Sequence, residues 1–469
     1  MRIRCLALAL GALAVGACDL PNDPNLNGPS VTDYGTITTL AQVQNLVTGV
    51  LRGDRVHAEN AIIEGETIGR DAFVLTASEG RWETELLGLS IDPSGFLGIR
   101  VFPYEVIRLS NIGFQGVSAA PASVLNDQAK AATLGYLQTI KALEYLRVVE
   151  TRDTTGAPID VAIDATLPPA PLRCKHDVLN YIVALLDSAA TSLATGGTAF
   201  PFALPAGFAG FDTPAAFLKF NRGLAAKADV YLAFRNYATS GRPGIDATAL
   251  AAANTALANS FMVQSASQLD LGPEHNYSTA SGDVPNSLFD ADTASTTFLA
   301  NPRVRSEADP GDARVARKTA LSSSRSANGE ASNIVLLLYR SPTAPLKILT
   351  NKELLLLHAE VNWGLANYAT ALAEADSIRT NDGALTTDTT TAAEPGVLNR
   401  ILYEKRYSLL WQSAARWFDA RQFGKLNGSN PPAGIGLERT YSPLNNLPIP
   451  QNEQNARGGD LTKQCTSGP

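Results

Sequence analysis

Four aromatic side chains stand where glycine, proline and polar residues interrupt the helical patterning of this chain. Trp82 and Phe96, with Tyr104 at the far edge, fall in a stretch that also holds Pro93, Gly95, Gly98 and Pro103, while Tyr277 lies in a long polar run over residues 265–332. A flat ring on an irregular loop buries area against a sugar face or a peptide side chain at low entropic cost. Arg81, beside Trp82, adds a fork of hydrogen-bond donors. The same rings serve equally well as core plugs, so both roles stay open from sequence. Bond-breaking chemistry has little support. There is no glycine-rich phosphate loop, H-E-x-x-H helix, C-x-x-C pair or G-x-S-x-G elbow, and the chain holds only 4 His. His358, following four leucines, reads as a structural residue. A pair of carboxylates for glycoside cleavage stays open, because Asp and Glu are abundant. Neither cofactor nor metal is implied. The run Asp23-Pro24-Asn25-Leu26-Asn27-Gly28 imitates the start of a calcium loop, but its twelfth position is Tyr34, where a bidentate Glu is needed.

The elements that must position these residues are helical. Apolar residues recur at three- and four-residue spacing over residues 40–51 (Leu40, Val43, Leu46, Val47, Val50), less regularly over 53–70, then clearly over 128–149, 176–193, 217–237 and 247–261. A further pair spans 348–365 and 368–379, where Ala359, Ala366, Ala371 and Ala375 supply the small residues that let two helices approach as in a tetratricopeptide hairpin. The expected fold is mostly α: divergent, unevenly spaced tetratricopeptide-like hairpins with long irregular ligand-binding loops at 71–104 and 265–332. Residues 397–423 read as one helix with a wide apolar stripe from Leu398 to Phe418, closed by Gly424. Its charges, Glu404, Lys405, Arg406, Arg416, Asp419 and Arg421, sit in apolar surroundings and call for partners.

This last stretch carries a resemblance. Glu404-Lys405-Arg406, a spacer, Arg416-Trp417-Phe418-Asp419-Ala420-Arg421, then Leu447-Pro448-Ile449-Pro450 and Glu453 are similar to the C-terminal signature of the SusD/RagB family of nutrient-binding outer-membrane lipoproteins. Ala420 and Gln422 depart from the usual Leu and Arg. The resemblance implies a scaffold role for these residues and a non-enzymatic function: binding an oligosaccharide or peptide and delivering it to a TonB-dependent, SusC-like outer-membrane transporter. It also implies that the early loops, with Arg81, Trp82, Phe96 and Tyr104, and the long insertion, with Tyr277, form the ligand surface. A helical-repeat protein scaffold in the periplasm and a glycan hydrolase are the rival readings.

At 469 residues, 45% hydrophobic and 18% charged, the chain has ample material for a core, and its formal charge of −7 with no basic run argues against nucleic acid as a partner. Residues 1–17 have a basic start at Arg2 and Arg4, an apolar core and small residues before Cys18, the pattern of a lipoprotein export signal. Cys18 is the expected lipid attachment site, residues 18–30 a flexible tether, and 31–469 one SusD-like α-helical binding body at the outer membrane, facing the cell exterior. With Cys18 lipidated, Cys174 and Cys465 remain as the pair that an exporting compartment lets oxidise.

Overall fold

The computed structural model describes residues 34–88, 92–94, 103–164, 166–290, 297–389, 392–394, 396–426 and 444–459. The expected signal, the tether, Cys18, Phe96 and Cys465 lie outside the described residues. Helices dominate: α1 (Leu40–Ile68), α2 (Pro103–Ala119), α3 (Asp127–Arg152), α4 (Lys175–Ala194), α5 (Pro214–Ala233), α6 (Ala247–Ala258), α7 (Asn351–Gly364), α8 (Tyr368–Asn381), α9 (Gly396–Leu409) and α10 (Ala415–Gln422). The mostly α expectation holds.

Side-chain caps set several of these starts. Thr39 and Gln42 form a reciprocal capping box that opens α1, Asn126 caps α3, and Thr213 followed by Pro214 opens α5. Consecutive helices pack as antiparallel neighbours: α3 on α4, α4 on α5, α5 on α6, and α7 on α8. The α7 helix also lies against α5 and α6, so the hairpins form one continuous array. Its core runs from Val43 in α1 to Leu402 in α9, with Tyr136, Phe217 and Trp363 fully enclosed.

Two expectations need correction. The segment 265–332 is mostly irregular, as expected, but it also contributes strands to a sheet. Strands β1 (Ala72–Val74), β2 (Phe298–Ala300), β3 (Thr319–Ala327) and β4 (Glu330–Leu336) form an antiparallel sheet in the order β1-β2-β4-β3. Asn328 (φ 51°) and Gly329 (φ 88°) turn the β3–β4 hairpin, both in the left-handed region that this tight turn demands.

The second correction concerns residues 397–423, which are two helices, not one. Trp411 (φ 59°) and Ala414 (φ 56°) leave the helical path between α9 and α10. Packing against α1 outweighs helix propensity here. The Trp411 backbone N–H donates to Glu66 Oε1 at 2.9 Å, its indole is buried in the second core cluster, and Ala414 presses on Gly65 so closely that a Cβ there would lie 2.3 Å from the Ala414 Cβ.

The charges of that segment are partnered, and most of them are buried. Glu404 accepts from Arg314 Nη1 at 2.6 Å. Lys405 donates to Glu360 Oε1 at 2.7 Å and to Asp419 Oδ1 at 2.6 Å. Arg406 donates to Asp71 Oδ1 at 2.7 and 2.9 Å and to Glu307 Oε2 at 2.6 Å, tying α9 to the start of β1. Arg421 donates to the carbonyl oxygens of Glu150 and Asn445, and the Trp417 indole N–H to that of Leu444. Every one of these side chains is a strut. His358 is another, placed between Glu374 (2.6 Å) and Asn254 (3.1 Å). Cys174, buried at the N-terminus of α4, is disulfide-bonded.

Candidate functional site

The two interrupted segments meet. Strand β1 pairs with β2 in the register Ala72↔Ala300, Phe73↔Leu299 and Val74↔Phe298, which brings the turn after β1 to the tip of the β3–β4 hairpin. There Asn328 Nδ2 donates to the Thr76 carbonyl at 3.3 Å and to Glu83 Oε2 at 2.9 Å. A short helix, Arg81–Thr84, rises from Gly80, which lies directly against the Asn328 side chain. Glu79 accepts from both the backbone N–H and the guanidinium of Arg81, and this exposed pair holds the Glu79 carboxyl down at about 2.

Trp82 is half-buried. Part of its ring rests on two core clusters, one holding Trp411 and Ile334 and the other Trp417 and Phe418, and the remainder is accessible. Behind it Glu83 is only 3% exposed. Burial, with Glu330 and Glu79 nearby, pushes its carboxyl up to about 7 against the opposing hydrogen bond from Asn328, so that near neutrality its charged and uncharged forms are comparably populated. A ring to stack on, a guanidinium–carboxylate pair and a turn braced by an acid–amide hydrogen bond make a surface suited to recognising polyhydroxylated ligands. Among the described residues no group of His, Cys, Asp and Glu is arranged to hold a metal ion.

The other sequence candidates are dispersed. Arg81 and Trp82 stay together at the surface. Tyr277 joins the cluster under Trp82, but it is buried, with the Arg55 guanidinium 5.0 Å from its ring centre, and burial followed by the nearby Glu59 carboxylate keeps its phenol protonated. Tyr104 packs with the main helical core instead: its ring meets Tyr145 edge-on at 6.2 Å and its hydroxyl donates to the Pro158 carbonyl at 3.2 Å. Tyr277 is therefore internal packing, whereas Tyr104, like Trp82, is partly buried, with its ring set against the helical core. Reading the sequence for exposed rings missed Asn328 and Glu83. The available signal was the Asn328-Gly329 dipeptide flanked by two extended segments, which marks a hairpin and hence a tip.

No protein-family model matches this chain, and none of the curated proteins does. Solved structures do match. A SusD superfamily protein from Bacteroides fragilis superposes with a TM-score of 0.64 at 15% identity, over 89% of this chain and 97% of its own. B. fragilis NanU gives 0.65 at 15% identity, over 92% and 97%. Surface glycan-binding protein A from Bacteroides uniformis gives 0.62 at 13% identity, over 89% and 97%. Near-complete coverage in both directions at such low identity is a likeness of architecture: the chain has the SusD fold. Among the described residues no helix is long and apolar enough to cross a membrane.

Proposed function

We propose that this chain is a nutrient-binding lipoprotein of the SusD family that captures oligosaccharide at the cell surface and hands it to a TonB-dependent, SusC-like transporter. It binds without cleaving, and Cys18 carries the lipid that holds it to the outer membrane. The observation that supports this most directly is the convergence of the residue 76–88 turn and the β3–β4 tip on the hydrogen bond between Asn328 and Glu83, beside the half-exposed ring of Trp82, on a chain with the SusD fold. Neighbours named for carbohydrate or surface glycan binding make glycan the first ligand class to test, ahead of peptide.

The test is a glycan and peptide binding panel on the intact protein and on Trp82→Leu, which keeps apolar volume against the core but removes the ring. Loss of stacking weakens glycan affinity by up to about tenfold at an unchanged melting temperature. Equal affinity in the variant overturns the placement of the site. Co-purification with an outer-membrane barrel supports the transporter partnership, whereas capture of soluble periplasmic proteins favours the scaffold reading. One observation favours cleavage as a second reading: Glu83 near 7 and Glu79 near 2 are carboxyls pushed apart, as in an acid–base pair. Product released from the panel and lost in Glu83→Gln would establish it, but the burial of Glu83 keeps it from a substrate and favours binding.

A further inference from the structure

Away from this surface, a cavity of about 180 Å³ opens between α2, α3 and α4. That is room for about six waters, well below the size of drug-binding pockets. Its walls are mainly apolar, with Phe114, Leu137 and Leu185 contributing carbon surface. Four polar residues, Ser110, Asn111, Gln138 and Lys141, interrupt them. Ser110 is 2% exposed, and its hydroxyl has no hydrogen-bond partner among the described residues. Gln138 gives its amide N–H to Ser188 Oγ at 3.1 Å, which leaves its buried Oε1 without a donor. Lys141 is half-buried, its ammonium 5.4 Å from the Tyr181 ring centre and 6.0 Å from that of Tyr145.

A buried hydroxyl and a buried amide oxygen left without partners are costly unless something enters to satisfy them. We infer that this cavity binds a small hydroxycarboxylate with an apolar body. The carboxylate meets the Lys141 ammonium, the ligand hydroxyl bridges Ser110 and Gln138, donating to the amide oxygen, and the apolar part lies against Phe114, Leu137 and Leu185. Asn111, also in the wall, directs one of its two amide N–H groups away to the Val161 carbonyl at 2.9 Å. The site is separate from the glycan surface and does not depend on it.

Burial lowers the Lys141 amine to about 8, with Asp160 opposing; the groups facing it are Tyr145 on its own helix, Tyr181 on α4 and Asp160 on the connecting loop. Affinity for a carboxylate therefore falls as pH rises past that point.

Calorimetry on the full chain with mandelate, phenylacetate and mandelamide tests each contact. Mandelate binds most tightly, phenylacetate loses the hydroxyl contact, and mandelamide loses the charge, each by roughly tenfold. In Lys141→Gln both acids weaken alike, while Ser110→Ala removes part of the advantage of mandelate over phenylacetate and leaves phenylacetate unchanged. Absence of mandelate binding at millimolar concentration, or binding untouched by both substitutions in proteins that melt like the parent, overturns the assignment and makes the cavity a water pocket.

Discussion

Lys405 is the clearest single determinant of the C-terminal architecture. Burial opposes its charge, yet Asp419 and Glu360 outweigh that and hold it protonated well above the ordinary lysine range. Lys405→Met leaves two buried carboxylates facing each other without a cation and costs about 3–5 kcal/mol in denaturant unfolding. Asp229 shows the opposite balance. Burial raises its carboxyl to about 7, with Asp187 adding to the rise and Arg222 opposing it. The unfolded chain releases this proton near pH 4 whereas the native protein keeps it until about 7. Its contribution to stability therefore falls as pH rises across that window and is constant above it. Asp229→Asn, which removes the penalty, melts roughly 1–3 °C above the parent at pH 8 and level with it at pH 4. A difference independent of pH would point to packing instead.

Between elements, the corner joining α9 to α10 is the place where two levels of structure disagree. Every residue from Val397 to Leu410 suits a helix that continues, and the amphipathic stripe extends across the break. What stops the helix is α1: Gly65 admits Ala414 at a distance no side chain allows, and Glu66 captures the Trp411 N–H. Gly65→Ala overpacks this contact and costs about 1–3 kcal/mol. Ala414→Gly, at φ 56°, is neutral or stabilising by itself and rescues part of the loss in the double variant. Urea midpoints of the four proteins measure this coupling, and simple additivity would refute it. The β3–β4 hairpin illustrates a different failure. Its serine-rich β3 strand lacks the apolar alternation of a strand with one buried face, since most of its side chains are at least partly exposed, and composition suggested coil despite the Asn-Gly turn.

At the scale of the molecule, Cys174, at the start of α4 in the helical array, is disulfide-bonded. Cysteine arithmetic names Cys465 as its partner once Cys18 is acylated. The mature protein should weigh a pair of hydrogens less before reduction than after, with a cross-linked peptide joining the two positions. Cys174→Ala should lower stability by about 2–4 kcal/mol. Two free thiols in the unreduced protein would contradict both expectations.

Sequence alone determined the helical hairpins, because periodicity, caps and small-residue spacing are local signals written within each helix. It also determined that Glu404, Lys405, Arg406 and Asp419 need partners, since charges in apolar company cannot stay alone. Only the tertiary structure decided which partners those are, and that Tyr277 turns inward while Trp82 and Tyr104 each keep part of the side chain outside. Whether a ring on an irregular segment faces water depends on what packs behind it. For Trp82 that support arrives from the helices after residue 396, far along the chain, while Asn328 holds the neighbouring Glu83, and no local pattern records either meeting.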